Sequence, residues 1–166
     1  LFAGSSGFVT VNGSNSVTLN LVPSLNANGT ASVTVTVTDN LKVVTQSFTI
    51  TVNAVNDAPV LGELLGIEVD EDAGTRNVPL IVTDVDDGFS TLRYTVSSTN
   101  ATLFSELKVV TDNERATLNI AYAPNANGVA TVTVVVADPS GLSATQSFTI
   151  TVNAVNDAPV LGELLG

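Results

Sequence analysis

The sequence predicts an all-β chain built from tandem β-sandwich repeats, and three observations carry that reading. Valine alternates with threonine from Val33 to Thr38 and again, with drift, from Thr131 to Val136, which is the period-2 pattern of a sheet with one dry and one wet face. Helical periodicity is nearly absent. Residues 45–66, TQSFTITVNAVNDAPVLGELLG, return unchanged as residues 145–166, a spacing of 100. A period near 100 residues is too long for a solenoid turn or a propeller blade, so it denotes whole domains in series.

Upstream of the unchanged block the match continues with drift. Leu25–Gly29 answers Pro124–Gly128, Ala31–Asp39 answers Ala130–Asp138, and Leu1-Phe2 answers Leu103-Phe104. The chain therefore reads as an incomplete first repeat (1–56), a complete repeat (57–156) and the opening of a third (157–166). It opens with Leu1 rather than Met, in mid-pattern and without a signal peptide, as a piece of something longer would.

In the complete repeat the predicted strands are Leu61–Val69, Arg76–Thr83, Leu92–Ser98, Leu107–Val110, Ala116–Tyr122, Ala130–Ala137 and Ser143–Val155. The turn-forming stretches Asp72-Ala73-Gly74, Asp86-Asp87-Gly88, Asn125-Ala126-Asn127-Gly128 and Pro139-Ser140-Gly141 separate several of them. About seven strands in a repeat of this length is the count of an immunoglobulin-like β-sandwich. Phe104, Phe148, Tyr94 and Tyr122 are expected in its core and at its ends rather than on a ligand platform.

Composition narrows the chemistry. The chain has neither His nor Cys, so imidazole bases, thiolate nucleophiles, zinc clusters and disulfides are excluded, and any metal must be held through oxygen. A formal net charge of -11 argues against nucleic acid and anionic membranes as partners and favours a cation. With 44% hydrophobic and 13% charged residues the chain should fold, yet no apolar run is long enough to cross a bilayer.

Seven of the sixteen acidic residues, Glu68, Asp70, Glu71, Asp72, Asp84, Asp86 and Asp87, fall in two clusters separated by one predicted strand. A strand of that length spans roughly 25 Å, so the clusters are expected at opposite ends of the sandwich. Carboxylates gathered this closely repel one another, and a bound divalent cation reverses the sign of that effect. Ca²⁺ takes six to eight oxygens from flexible loops of this composition. A merely solubilising acidic surface is the competing reading.

Val69-Asp70-Glu71-Asp72-Ala73, Val82–Gly88, Leu92–Val96, Leu103-Phe104, Val134–Asp138 and Val155-Asn156-Asp157-Ala158-Pro159 together resemble a cadherin repeat in order and spacing. More closely, they are similar to the cadherin-like repeats, with a VNDAP linker, of very large bacterial surface and secreted adhesin-like proteins. The resemblance implies Ca²⁺ at the junctions between repeats. It assigns Asn56 and Asp57 of the linker, Asp84 and Asp86 of one loop and Asp138 of another to the junction between the two copies. At the far end it places Glu71 with Asn156 and Asp157 of the next linker. Two features depart from cadherins: the linker is one residue shorter, with Ala54 where an acidic residue would stand, and Asn125 and Asn127 replace an acidic pair, as do Asn26 and Asn28 in the first copy. Fewer or weaker ions at each junction follow, and Asn-Gly is also an ordinary turn.

No enzyme is expected, because the carboxylates lie in loops without an aromatic cleft and the chain has no Trp to stack a sugar. The resulting expectation is a Ca²⁺-dependent extender module of a large extracellular or cell-surface protein, its partners being neighbouring repeats. The rival expectation is a module that itself binds polysaccharide or a like module. Asn12-Gly13-Ser14, Asn28-Gly29-Thr30 and Asn100-Ala101-Thr102 match the glycosylation pattern, which carries no meaning in a bacterial source.

Overall fold

The computed structural model describes residues 1–2, 8–11, 17–38, 41–112, 114–159 and 161. Asn12-Gly13-Ser14 and most of the opening of the third repeat, residues 160 and 162–166, lie outside the described residues. The chain divides into two compact units, Leu1–Asn56 and Asp57–Gly166.

In the second unit the all-β expectation holds. Its strands are β5 (Val60–Leu61), β6 (Ile67–Asp70), β7 (Thr75–Leu80), β8 (Val82–Thr83), β9 (Arg93–Ser98), β10 (Phe104–Thr111), β11 (Ala116–Tyr122), β12 (Gly128–Ala137) and β13 (Ser143–Asn153). One sheet runs β6-β13-β12-β9 and the facing one β10-β11-β7, with β5 and β8 paired as a separate ribbon. All pairings are antiparallel except β6 with β13, which are parallel from Ile67 opposite Ile150 to Asp70 opposite Asn153.

Alternation along the strands builds the core. Ala116, Leu118, Ile120 and Tyr122 of β11 meet Ala130, Val132, Val134 and Val136 of β12 and Phe148, Ile150 and Val152 of β13 in one buried cluster. The intervening Thr and Ser residues face out, where Thr133 and Ser147 share a hydroxyl hydrogen bond of 2.9 Å across the hairpin. Burying each such aliphatic side chain contributes about 1.5–3 kcal/mol, so the Val/Thr alternation decides which face turns inward. The four expected aromatics join this core: Phe148 and Tyr122 are buried, Phe104 packs on Tyr122 and Tyr94 on Phe89.

Two predicted strands are each divided in the structure. The first becomes β5 and β6 because the chain pairs with β8 at Val60–Leu61, then crosses through residues 62–66 to join β13 in the other sheet. The second breaks at Ile81, where β7 leaves β11 and β8 takes up β5, and the Ile81 carbonyl accepts the Gly62 N–H at 2.8 Å.

The first unit has β1 (Phe8–Val11) paired with β2 (Val17–Asn20), and β3 (Gly29–Thr38) paired with β4 (Val43–Val52). β3 and β4 keep the register of β12 and β13: Val33 faces Phe48 as Val132 faces Phe148. No helix among the described residues is long and apolar enough to cross a membrane.

Candidate cation site

The loop after β8 folds on itself through Asp84. Its Oδ1 accepts the N–H groups of Asp86 and Asp87, both at 2.9 Å, an Asp-led turn that local sequence suffices to form. This turn aims the neighbouring carboxylates apart. Asp86 Oδ2 reaches back to accept the Asp57 N–H at 2.8 Å, which fastens the chain entering the unit to the loop. Asp87 instead stays beside Asp84.

Asp138 arrives from the turn between β12 and β13. It is 3% exposed, and its Oδ1 accepts Ser140 Oγ (2.8 Å), Gly141 N–H (2.7 Å) and Leu142 N–H (2.9 Å). Gly141 adopts φ +96°, the left-handed conformation this turn demands, which is why glycine stands there.

Carboxylate oxygens of Asp84, Asp87 and Asp138 all lie within 4.8 Å of one another. Asp84 Oδ2 is buried and has no hydrogen-bond partner. Loss of hydration first, then the charges of Asp84 and Asp138, hold the Asp87 carboxyl above the ordinary carboxylate range; Asp86 adds to the effect and a long hydrogen bond from Thr91 opposes it. Three mutually repelling carboxylates, one with an orphaned buried oxygen, form an oxygen-only donor set suited to a hard divalent cation.

The second acidic cluster is organised differently. Glu71 is 8% exposed, its Oε1 accepts the Val155 N–H at 2.6 Å and its Oε2 faces Asn127 Nδ2 at 3.4 Å. Asp72 Oδ1 accepts the Asn125 N–H at 3.1 Å, while Asn153 Nδ2 reaches Glu68 and Asp70. Asn125 adopts φ +53°, so the Asn-Gly segment is a turn, and Asn127 also touches Glu71. Asn127 precedes β12 and Asp138 follows it; ten residues of strand span about 33 Å, so the two acidic clusters occupy opposite ends of the sandwich.

The structure thus brings Asp84 and Asp138 together and joins Asp57 to Asp86 through a backbone hydrogen bond. Asn56 is the exposed last residue of the first unit. Asn156 and Asp157 are exposed, with Asn156 Nδ2 donating to the Asp157 carbonyl, one residue beyond the Val155 that Glu71 holds. Asp87 is the residue that reading for an Asp-x-Asp pair missed. Its signal is the Asp84 turn itself, which brings position i+3 back alongside position i.

Residues 56–151 match the sequence model of the bacterial Ig domain. The chain belongs to the bacterial Ig domain family. As a bacterial Ig domain it is similar in structure to human mucin-like protocadherin EC1-2, with a TM-score of 0.57 at 19% identity over 93% of this chain and 83% of that one. It is also similar to human protocadherin-24 EC1-2, with a TM-score of 0.51 at 20% identity over 92% of this chain and 78% of that one. At such identities the likeness establishes a shared Ig/cadherin-like sandwich. No curated protein matches the sequence of this bacterial Ig domain.

Proposed function

We propose that this bacterial Ig domain is a Ca²⁺-dependent extender module of a large extracellular, adhesin-like surface protein, in which repeats joined by ion-stiffened linkers hold a binding region away from the cell. The observation that carries the reading is the buried, unpartnered Asp84 Oδ2 beside Asp87 and Asp138, all within 4.8 Å. Asp84, Asp87 and Asp138 would hold the ion. Asp86, whose carboxylate accepts the Asp57 N–H, would couple that site to the linker to which Asp57 and the adjoining Asn56 belong. At the other end Glu71, with Asn156 and Asp157 following the backbone it grips, would serve the next junction in the same way.

The role of the ion is electrostatic. It replaces repulsion among the carboxylates by attraction, which stiffens the loops at that end of the sandwich. Extracellular Ca²⁺ modules have dissociation constants of about 10⁻⁴–10⁻³ M, and ion at ten times Kd adds about 1.4 kcal/mol by mass action. Isothermal titration with CaCl₂ should detect binding that the Asp84→Asn/Asp87→Asn double variant loses. Superimposable melting curves in chelator and in millimolar Ca²⁺ would sink the proposal. A glycan array should be blank with and without Ca²⁺, as befits a spacer.

A further inference from the structure

An acidic and a basic residue stand two positions apart on β10, the outer strand of the three-stranded sheet. Glu106 and Lys108 point to solvent, with side chains 46% and 53% exposed, and form an ion pair of 2.8 Å. Leu107 and Val109 alternate with them and pack inward on the core. Among the described residues β10 pairs with β11 alone, so one side of its backbone is a sheet edge.

The ladder decides which groups that edge presents. The Tyr122 N–H donates to the Gly74 carbonyl, on the β7 side of β11, so even-numbered residues of β11 bond toward β7 and Thr117, Asn119 and Ala121 bond toward β10. Their partners Val110, Lys108 and Glu106 therefore turn N–H and C=O to β11. The Asp112 N–H, which donates to the Arg115 carbonyl, keeps the same parity. Leu107, Val109 and Thr111 direct theirs outward, as a template for another strand.

A second β10 entering antiparallel about a two-fold axis must bring outward groups to outward groups, so the axis falls on a residue. Like charges directly opposite one another destabilise a strand pair and opposite charges stabilise it. An axis at Glu106 sets Glu106 against its own copy, one at Lys108 does the same to Lys108, and one at Val109 sets Glu106 against Asp112. With the axis at Leu107, Glu106 of each copy faces Lys108 of the other. The charges that bar the neighbouring registers favour this one.

We propose that two copies of this chain associate edge to edge through β10, antiparallel about a two-fold axis at Leu107, so that their three-stranded sheets become one continuous sheet. The two Leu107 residues exchange backbone hydrogen bonds, Val109 meets Ser105, and the bulge between Phe104 and Glu106 ends the ladder. The contact is isologous and closes at a dimer. The chain enters and leaves the unit at opposite ends of the sandwich, so the paired chains run in opposite directions; on the extender reading, this suits molecules reaching from facing surfaces.

Sedimentation equilibrium of the whole chain in chelator, over a hundredfold concentration range, tests this independently of any bound ion. At physiological ionic strength the Debye length of about 8 Å screens most of the repulsion from a net charge of -11 but little of the attraction between facing pairs. The mean mass should rise with concentration and level off at the dimer. Glu106→Lys leaves only lysines at the contact and Lys108→Glu only glutamates, so each variant alone should associate at least tenfold more weakly. Both side chains are exposed, so circular dichroism should be unchanged. An equimolar mixture of the two variants sets lysines opposite glutamates and should regain the parent's association. A chain monomeric at every concentration, association that either reversal leaves intact, or a mixture that binds no more tightly than its components overturns the proposal.

Discussion

The backbone N–H of Val155 donates to Glu71 Oε1 at 2.6 Å, so the chain leaving the sandwich is held by a carboxylate that follows β6. The Glu71 N–H in turn donates to the Asn153 carbonyl at 2.9 Å, and the two bonds close a clamp around the end of β13. A charged acceptor, here on a Glu71 side chain that is itself buried, makes one of the stronger protein hydrogen bonds.

Glu71→Ala should therefore destabilise the second unit by about 1–3 kcal/mol, the usual worth of a hydrogen bond to a charged group. Glu71→Gln should cost less, since it keeps an oxygen for Val155. Urea denaturation followed by circular dichroism measures both. Ca²⁺ affinity at the Asp84 cluster should not change, because that cluster sits at the other end of β12.

Asp87 should make stability depend on pH in opposite directions with and without the ion. Its carboxyl titrates above the unfolded value of 3.8, so the folded chain binds this proton more readily than the unfolded one. Without Ca²⁺ the repulsion is fully present above the folded pKa and fades as pH falls toward the unfolded value. Asp87→Asn should thus exceed the parent in stability at pH 7 in chelator, with the advantage vanishing at the acidic end of the range. In excess Ca²⁺ at pH 7 the order should reverse. Denaturation midpoints of the two chains across pH, in both conditions, check the sign.

Asp138 serves two purposes that substitutions can separate. Asp138→Asn retains an oxygen for Ser140, Gly141 and Leu142 and should fold with a loss of about 1 kcal/mol, while Ca²⁺ binding weakens markedly. Asp138→Ala should lose both, with a stability cost of about 2–4 kcal/mol for three bonds at one buried turn. Calorimetric titration beside thermal melting distinguishes the variants.

The two equivalent phenylalanines should respond unequally to truncation. Phe148→Ala empties a buried site and should cost about 3–5 kcal/mol, whereas Phe48→Ala, at a site 44% exposed, should cost below about 1 kcal/mol. Chemical denaturation at low protein concentration compares them.

The elements legible in the sequence were those whose signal is local. Alternation placed β11, β12 and β13 and their inward residues, and Gly or Asn at a positive φ marked the turns at Asn125 and Gly141. The division of β5 from β6 and of β7 from β8 was not legible, because it arises where the chain changes sheets, and partner choice leaves no mark on the period of the side chains. At the site, the residue types and loops were readable, but the choice between Asp86 and Asp87 depended on a three-dimensional fact. With Asp84 Oδ1 engaged by two successive N–H groups, the loop curls so that the third residue on, not the second, stands beside Asp84.

The parallel ladder between β6 and β13 determines how this unit meets a mechanical load. β6 lies near the point where the chain enters and β13 ends where it leaves, and the two point the same way. Tension applied through the two ends pulls these neighbours in opposite directions along their length. The hydrogen bonds from Ile67 to Asp70 then lie across the pull and must rupture together, whereas an antiparallel pair drawn from its open ends would unzip one bond at a time. Glu71, gripping Val155 just beyond that ladder, adds one more bond that has to fail in the same event.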